Sequence, residues 1–197
     1  MMQHSSIRFL ACGAFAWGLA AVPAGAAPLQ WAQNGHYYEL VAGDFSFHDA
    51  LAAAAARSHE GLAGHLATVT TAAEWAFLDT ILNPAGVTAW LGGSDAAAEG
   101  TWEWVAGPEA GLAFWQGDPS GAARNGLFAG WNPGEPNNLN DEDYLLGWYG
   151  AGWNDIGIDD RRAMLVEYSI PAAVPLPAGV ILLAGGLGAL VLLRRRG

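Results

Sequence analysis

The sequence predicts an α+β domain, and three observations predict it. Residues 46–58 and 71–82 carry helix signals with capping residues in front. Short aromatic and β-branched runs precede and follow these helices. Residues 107–143 are rich in Gly, Pro, Asn and Trp and show no helical period. The resulting class is two helices with small antiparallel sheets and a long loop region.

Each element has a local reason. His36 to Val41 combines aromatic and β-branched residues and suits a strand. Ser46 with Asp49 three residues on opens the first helix, an Ala-rich stretch continues it, and Gly61 lies just beyond its end. On this reading His48 and His59 sit on one helix, both at the surface. Thr71 and Glu74 open the second helix. Trp75, Leu78 and Leu82 share one of its faces, and Asn83-Pro84 stops it. Strands are expected at 87–91, 101–105, 144–149 and 163–168. A connection as long as 107–143 is functional or disordered. Trp115, Phe128 and Trp131 argue for an ordered one.

The two ends read as separate segments. Residues 1–26 have the layout of a secretory signal: a short, weakly basic start, an apolar run from Ile7 to Val22 broken by Arg8, then Ala24-Gly25-Ala26. Cleavage is expected after Ala26, with Ala27 as the rival; a buried N-terminal helix is the alternative. Cys12, the single cysteine, lies in this segment, so an intramolecular disulfide framework and a cysteine-built zinc site are excluded. Within the sorting segment 171–197, residues 178–193 contain Ala, Gly, Val, Ile and Leu alone, and Arg194-Arg195-Arg196 follow. As a helix this run is roughly 24 Å long, slightly short of a hydrocarbon core of about 30 Å. The arginines favour the cytoplasmic side and place the preceding domain outside. Val174-Pro175-Leu176-Pro177-Ala178, the apolar run and the Arg cluster together resemble the PEP-CTERM sorting tails in their VPLPA variant. That resemblance implies an exosortase-type processing enzyme, inner-membrane anchoring through the C-terminal helix, and then the outer surface or secretion in a Gram-negative bacterium. A plain membrane anchor is the alternative.

Charge narrows the function. The formal net charge is -11, lysine is absent, and all 19 acidic residues lie between Glu39 and Glu167, with Arg57, Arg124, Arg161 and Arg162 as the basic residues there. Such a surface repels phosphates, which excludes nucleic acid as a partner. Divalent cations are one remedy for the self-repulsion; solubility in a salty exterior is the other reading.

The chemistry-bearing residues follow Trp131. The run Trp131-Asn132-Pro133-Gly134-Glu135-Pro136-Asn137-Asn138 is followed by Asp141-Glu142-Asp143 and, after a strand, by Trp153-Asn154-Asp155. Glu135, Asn137, Glu142, Asn154 and Asp155 supply three carboxylates and two amide oxygens. Hard cations such as Ca²⁺ take six to eight oxygen ligands, and neutral amides let ligands crowd without full repulsion. The same residues also read as turn formers beside a solvated acidic run. An EF-hand fails on the spacing, because Asp143 stands where that loop needs Gly. Glu135 and Asp155 as a glycosidase acid pair would need one raised pKa, for which metal-like polar surroundings are unsuited. No zinc, Ser-His-Asp or phosphate-loop spacing is present.

From Gly35 to Tyr168 the chain resembles a C-type lectin-like domain. Ala89-Trp90-Leu91-Gly92-Gly93 resembles its WIGL core strand, Glu135-Pro136-Asn137 its EPN motif, Glu142-Asp143-Tyr144 its acidic segment, Trp153-Asn154-Asp155 its WND motif and Leu165-Val166-Glu167-Tyr168 its closing strand. The family's four cysteines are missing, with Tyr144 and Val166 in two of their places, and residues 117–130 look inserted. The resemblance implies a cis Glu135–Pro136 bond. It implies one Ca²⁺ held by Glu135, Asn137, Glu142, Asn154 and Asp155, with the same five residues binding carbohydrate of the mannose or glucose type. A second Ca²⁺, which some members hold with acidic groups at places near Asn138 and Asp143, stays open, since Asn138 is neutral. Trp131 and Trp153 are expected in the core, supporting the loops; Trp131, Trp148 or Trp153 as a face that stacks on a sugar is the alternative. An enzyme is not expected. A lectin-like module that binds protein or a surface without sugar recognition stays open.

Overall fold

The computed structural model describes residues 27–171. The expected secretory signal at 1–26 and the expected apolar helix at 178–193 lie outside the described residues. Among the described residues no helix is long and apolar enough to cross a membrane.

The chain opens with β1 (Leu29–Gln30) and β2 (Tyr37–Phe45), then α1 (Phe47–Ala55). A hairpin of β3 (Ser58–His59) and β4 (Leu62–Leu66) leads to α2 (Ala72–Ala85). The second half comprises β5 (Ala89–Ser94), β6 (Thr101–Trp104), β7 (Ala113–Gln116), β8 (Ala122–Ala123), β9 (Tyr144–Gly147), β10 (Trp153–Ile156) and β11 (Arg162–Tyr168). The strands follow the path β1-β2-β11-β5-β6-β7-β8, with β4 also on β11 and the β9–β10 hairpin on β5. Pairing between these strands is antiparallel except between β5 and β11, where Ala89 and Trp90 lie parallel to Ala163 and Met164. The α+β expectation therefore holds, with a mixed sheet in place of purely antiparallel ones.

Both helices start where their capping residues place them. The Ser46 and Thr71 side chains accept hydrogen bonds from the backbone N–H groups of Asp49 and Glu74. Their ends differ from the sequence reading. The first helix stops at Ala55, and His59 sits on β3 instead of sharing a helix with His48. Glu60 (φ 49°) and Gly61 (φ 82°) form a two-residue turn with both residues in the left-handed region, so Gly61 closes a hairpin and not a helix. The second helix runs through Pro84 to Ala85 before Gly86, at φ 63°, ends it. Proline in the last turn forfeits a single intrahelical bond, too little to stop a helix held by Trp75, Leu78 and Leu82. The stretch 107–143 contains β7 and β8, which continue the hairpin from β6, so it is not one uninterrupted loop.

β11 divides the interior. Ala163 and Leu165 pack with Trp104, Phe114, Leu145, Trp153 and the buried face of α2. Met164, Val166 and Tyr168 pack with Phe47, Ala50, Ala54, Leu66 and Trp90. The two-residue period of a strand sends alternate side chains into two cores. Glu167 shares its parity with Ala163 and Leu165 and is almost fully buried. Its carboxylate accepts the Thr68 N–H (3.1 Å) and lies 2.6 Å from the His36 Nδ1. Tyr38 Oη donates to the buried Glu74, whose carboxyl is raised mainly by burial. The hydrogen bond to Glu167 raises the His36 pKa.

Leu165→Ala should lower the unfolding free energy by about 2–5 kcal/mol, because a large buried side chain leaves a cavity in the central strand. Chemical denaturation against the parent chain measures it; a loss below about 1 kcal/mol contradicts this account of β11.

Candidate functional site

The loop after Gly130 is tied to β10 by its backbone. The Trp153 N–H donates to the Gly130 carbonyl (2.7 Å), and the Trp153 carbonyl accepts the Asn132 N–H (2.9 Å). The Asn132 side chain closes the staple by accepting the Gly152 N–H at 2.7 Å. Both tryptophans serve as supports, as the sequence led us to expect. Trp153 is fully buried, and Trp131 packs edge-on against Trp102 with ring centroids 4.8 Å apart. From that anchor the chain turns at Gly134 (φ 94°) and passes through a cis Glu135–Pro136 bond.

Beyond the bend, the loop is held by its own polar groups. Asn138, Asn140 and Asp141 adopt left-handed backbone, which Asn and Asp tolerate better than other side-chain-bearing residues. The Asn138 N–H donates to Asp155 Oδ2 (2.7 Å), and the Asn138 side-chain oxygen accepts the Glu142 N–H (2.7 Å). The Leu139 N–H lies 2.9 Å from Asn137 Oδ1 and 3.0 Å from Glu142 Oε2. The Asn137 amide donates to Glu135 Oε2, and the Asn154 amide to the Asp155 carbonyl. Glu135, Asn137, Glu142 and Asp155 are thus joined through the backbone N–H groups of Asn138, Leu139 and Glu142 and the side-chain amides of Asn137 and Asn138, with Asn154 beside Asp155 on β10.

Burial grades across this set. Asp155 is fully buried and its Oδ1 has no hydrogen-bond partner. Glu135, Glu142 and Asn154 are half-buried, and Asn137 is exposed. Burial pushes the Glu135 carboxyl up to about 7, and the neighbouring Asp155 adds to it, so the expectation that polar surroundings leave this pair without a raised pKa does not hold. Burial also raises Glu142, with Asp155 again contributing. Among the described residues no three His, Cys, Asp or Glu side chains come together closely enough to hold a metal ion by themselves. The five-residue set differs in kind, since two of its members offer neutral amide oxygens. An amide that rotates by half a turn exchanges its nitrogen for its oxygen, so Asn137 and Asn154 can each present an acceptor. The orphaned Asp155 oxygen, the raised Glu135 and Glu142 carboxyls and the amides fit a hard divalent cation.

A cavity of about 230 Å³ adjoins the set at Pro136, Asn137, Asn138 and Asp155, with Asp95, Glu99 and Asp118 among its other lining residues. The sequence reading gave no role to these three. Asp95 is 2% exposed; its Oδ2 accepts the Gly100 N–H at 2.9 Å, and its Oδ1 has no partner. Burial, with help from Glu99 and Asp143, pushes it up to about 7. The available signal was an aspartate directly after the fully buried strand β5, a costly place for an unpaired charge.

The lectin C-type domain family model matches residues 51–145. Halomucin of Haloquadratum walsbyi is 42% identical over 135 residues, which is 68% of this chain and 2% of halomucin. The CD209 antigen of Nomascus concolor is 31% identical over 129 residues, 65% of this chain and 27% of that protein. The chain therefore spans a small part of the curated relatives it matches. Among solved structures, the mouse scavenger receptor C-type lectin carbohydrate-recognition domain superposes with a TM-score of 0.57 at 19% identity, covering 76% of this chain and 98% of that one. That likeness concerns the fold. The described residues have the C-type lectin fold, residues 51–145 match the lectin C-type domain model, and the chain has no cysteine outside its first 26 residues.

A raised carboxyl pKa stabilises the fold below the ordinary carboxylate range and ceases to do so as pH rises through the folded value. In EDTA the melting temperature should therefore fall by about 4 °C or more between pH 5 and pH 8. Asp95→Asn should flatten that slope, and calorimetric melts at both pH values test it. An unchanged slope in the variant contradicts the account of Asp95.

Proposed function

We propose that the chain is a calcium-dependent carbohydrate-binding protein. The observation that carries this reading is the buried, unpartnered Asp155 oxygen beneath Glu135, Asn137, Glu142 and Asn154. These five residues would hold Ca²⁺, and the bound ion would supply coordination positions for two vicinal sugar hydroxyls. The protein's own part is directional. Glu135 and Glu142 accept hydrogen bonds from the hydroxyls, and Asn137 and Asn154 donate to them. A hydroxyl lying between an amide and a carboxylate of the set would donate on one side and accept on the other. The Glu135-Pro136-Asn137 order supports a preference for equatorial 3- and 4-hydroxyls of the mannose or glucose type. The sequences of 1–26 and 171–197 support export, anchoring by the helix at 178–193 and exosortase-type processing at a bacterial surface.

Titration calorimetry with Ca²⁺ and mannose tests the reading. Glu135→Gln and Asp155→Asn should each weaken calcium binding at least about tenfold, as loss of a charged oxygen ligand does, and EDTA should abolish mannose binding. Calcium affinity should also fall as the pH drops below about 7, because the proton on Glu135 competes with the cation. No calcium-dependent binding to mannose or to any arrayed glycan would overturn the proposal.

A further inference from the structure

A second groove, of about 450 Å³, lies where β2, the α2–β5 connection, the β9–β10 turn and the start of β11 meet. None of its lining residues belongs to the calcium set. Gly43, Gly86, Trp148, Tyr149, Arg161 and Arg162 define it. Trp148 is 42% and Tyr149 39% exposed, which is unusual in a domain whose Trp90, Trp102, Trp104 and Trp153 are fully buried. The turn that carries the two rings is fixed at several points. The Trp148 N–H donates to the Gly152 carbonyl (3.0 Å), the Gly150 N–H to Asp79 (2.6 Å), and the Trp75 indole N–H to the Ala151 carbonyl (3.1 Å). A rigidly held aromatic surface loses little freedom when a ligand covers it. At Gly86 no atom lies within 4 Å of where a side chain would begin, so that wall stays open.

Charge gives the groove its chemistry. Two of the four arginines among residues 27–171 stand here side by side, in a domain that carries all 19 acidic residues. Each has one carboxylate neighbour, Arg161 with Asp49 (3.1 Å) and Arg162 with Asp160 (2.7 Å). Arg161 and Asp49 are largely exposed, and such pairs contribute little. A guanidinium has five N–H donors, so both retain donors for a second, planar anion. Flat aromatic faces attract the polarised C–H edges of a sugar ring, while a carboxylate matches the guanidinium fork.

We propose that this groove binds a carboxylate-bearing saccharide unit, a uronate within a polysaccharide, with the sugar on Trp148 and Tyr149 and its carboxylate at Arg161 and Arg162. Binding here needs no calcium and is independent of the site built around Asp155. The test is fluorescence titration of the full chain with tetragalacturonate in EDTA. Saturable quenching is expected. Trp148→Ala and the double variant Arg161→Gln/Arg162→Gln should each weaken binding at least tenfold, while Asp155→Asn leaves it unchanged. Circular dichroism of each variant confirms that the fold is retained, and Arg161→Lys/Arg162→Lys, which keeps the charge, should recover part of the loss. Absence of binding in EDTA overturns the proposal, as does equal binding of a neutral tetragalactoside. Equal binding of benzoate overturns the saccharide assignment, and unchanged affinity in the tryptophan or arginine variants overturns the location. None of these outcomes bears on calcium-dependent mannose binding.

Discussion

The two backbone hydrogen bonds between Trp153 and the segment Gly130–Asn132 are the constraint on which the candidate site depends. They fix an irregular loop to a strand whose own side chain is locked in the aromatic core, edge-on to Trp75, Trp104, Phe128 and Trp131. Because Trp153 cannot shift without disturbing that packing, its neighbours Asn154 and Asp155 are placed by the core and not by the loop. The loop then brings Glu135, Asn137 and Glu142 to them. Rigid positioning of polar groups by an apolar support is what keeps crowded carboxylates from relaxing apart.

That crowding has an energetic meaning. Asp155 is buried with an unpartnered oxygen, and Glu135 and Glu142 both have raised carboxyl pKa values beside it. A fold seeking stability alone would not place these groups together. Strained electrostatics of this kind mark sites whose complement is a cation or a proton. The His36–Glu167 and Tyr38–Glu74 contacts show the opposite treatment, where each buried carboxylate receives donors from the chain itself.

Much of this was legible in the amino-acid order. Capping residues at Ser46 and Thr71 fixed both helix starts, since a side-chain oxygen three residues ahead of an N–H is a local, strong signal. The Glu-Pro-Asn and Trp-Asn-Asp runs pointed to a shared focus because oxygen-bearing side chains at turns have few other uses together. Helix ends were harder, because Gly61 and Pro84 have more than one structural role and tertiary contacts choose among them. Asp95 escaped notice for a related reason. Its significance comes from being enclosed, and enclosure is a property of packing that a single residue's neighbours in the chain do not disclose. The Trp148–Arg162 groove was hidden in the same way, its parts lying on four separated segments.

The pairing around β2 carries a mechanical corollary. Leu29 lies across from Tyr38 and Gln30 from Tyr37, while Glu167 and Tyr168 flank the same two tyrosines from the other side. The polypeptide thus enters and departs through strands on either side of one short stretch. A pulling force applied through the two ends is carried by β1, β2 and β11, and β1, with its two paired residues, peels first. The loops around Asp155 stay off that load path, so tension between the two sides of β2 leaves the placement of Glu135, Asn137, Glu142 and Asp155 undisturbed.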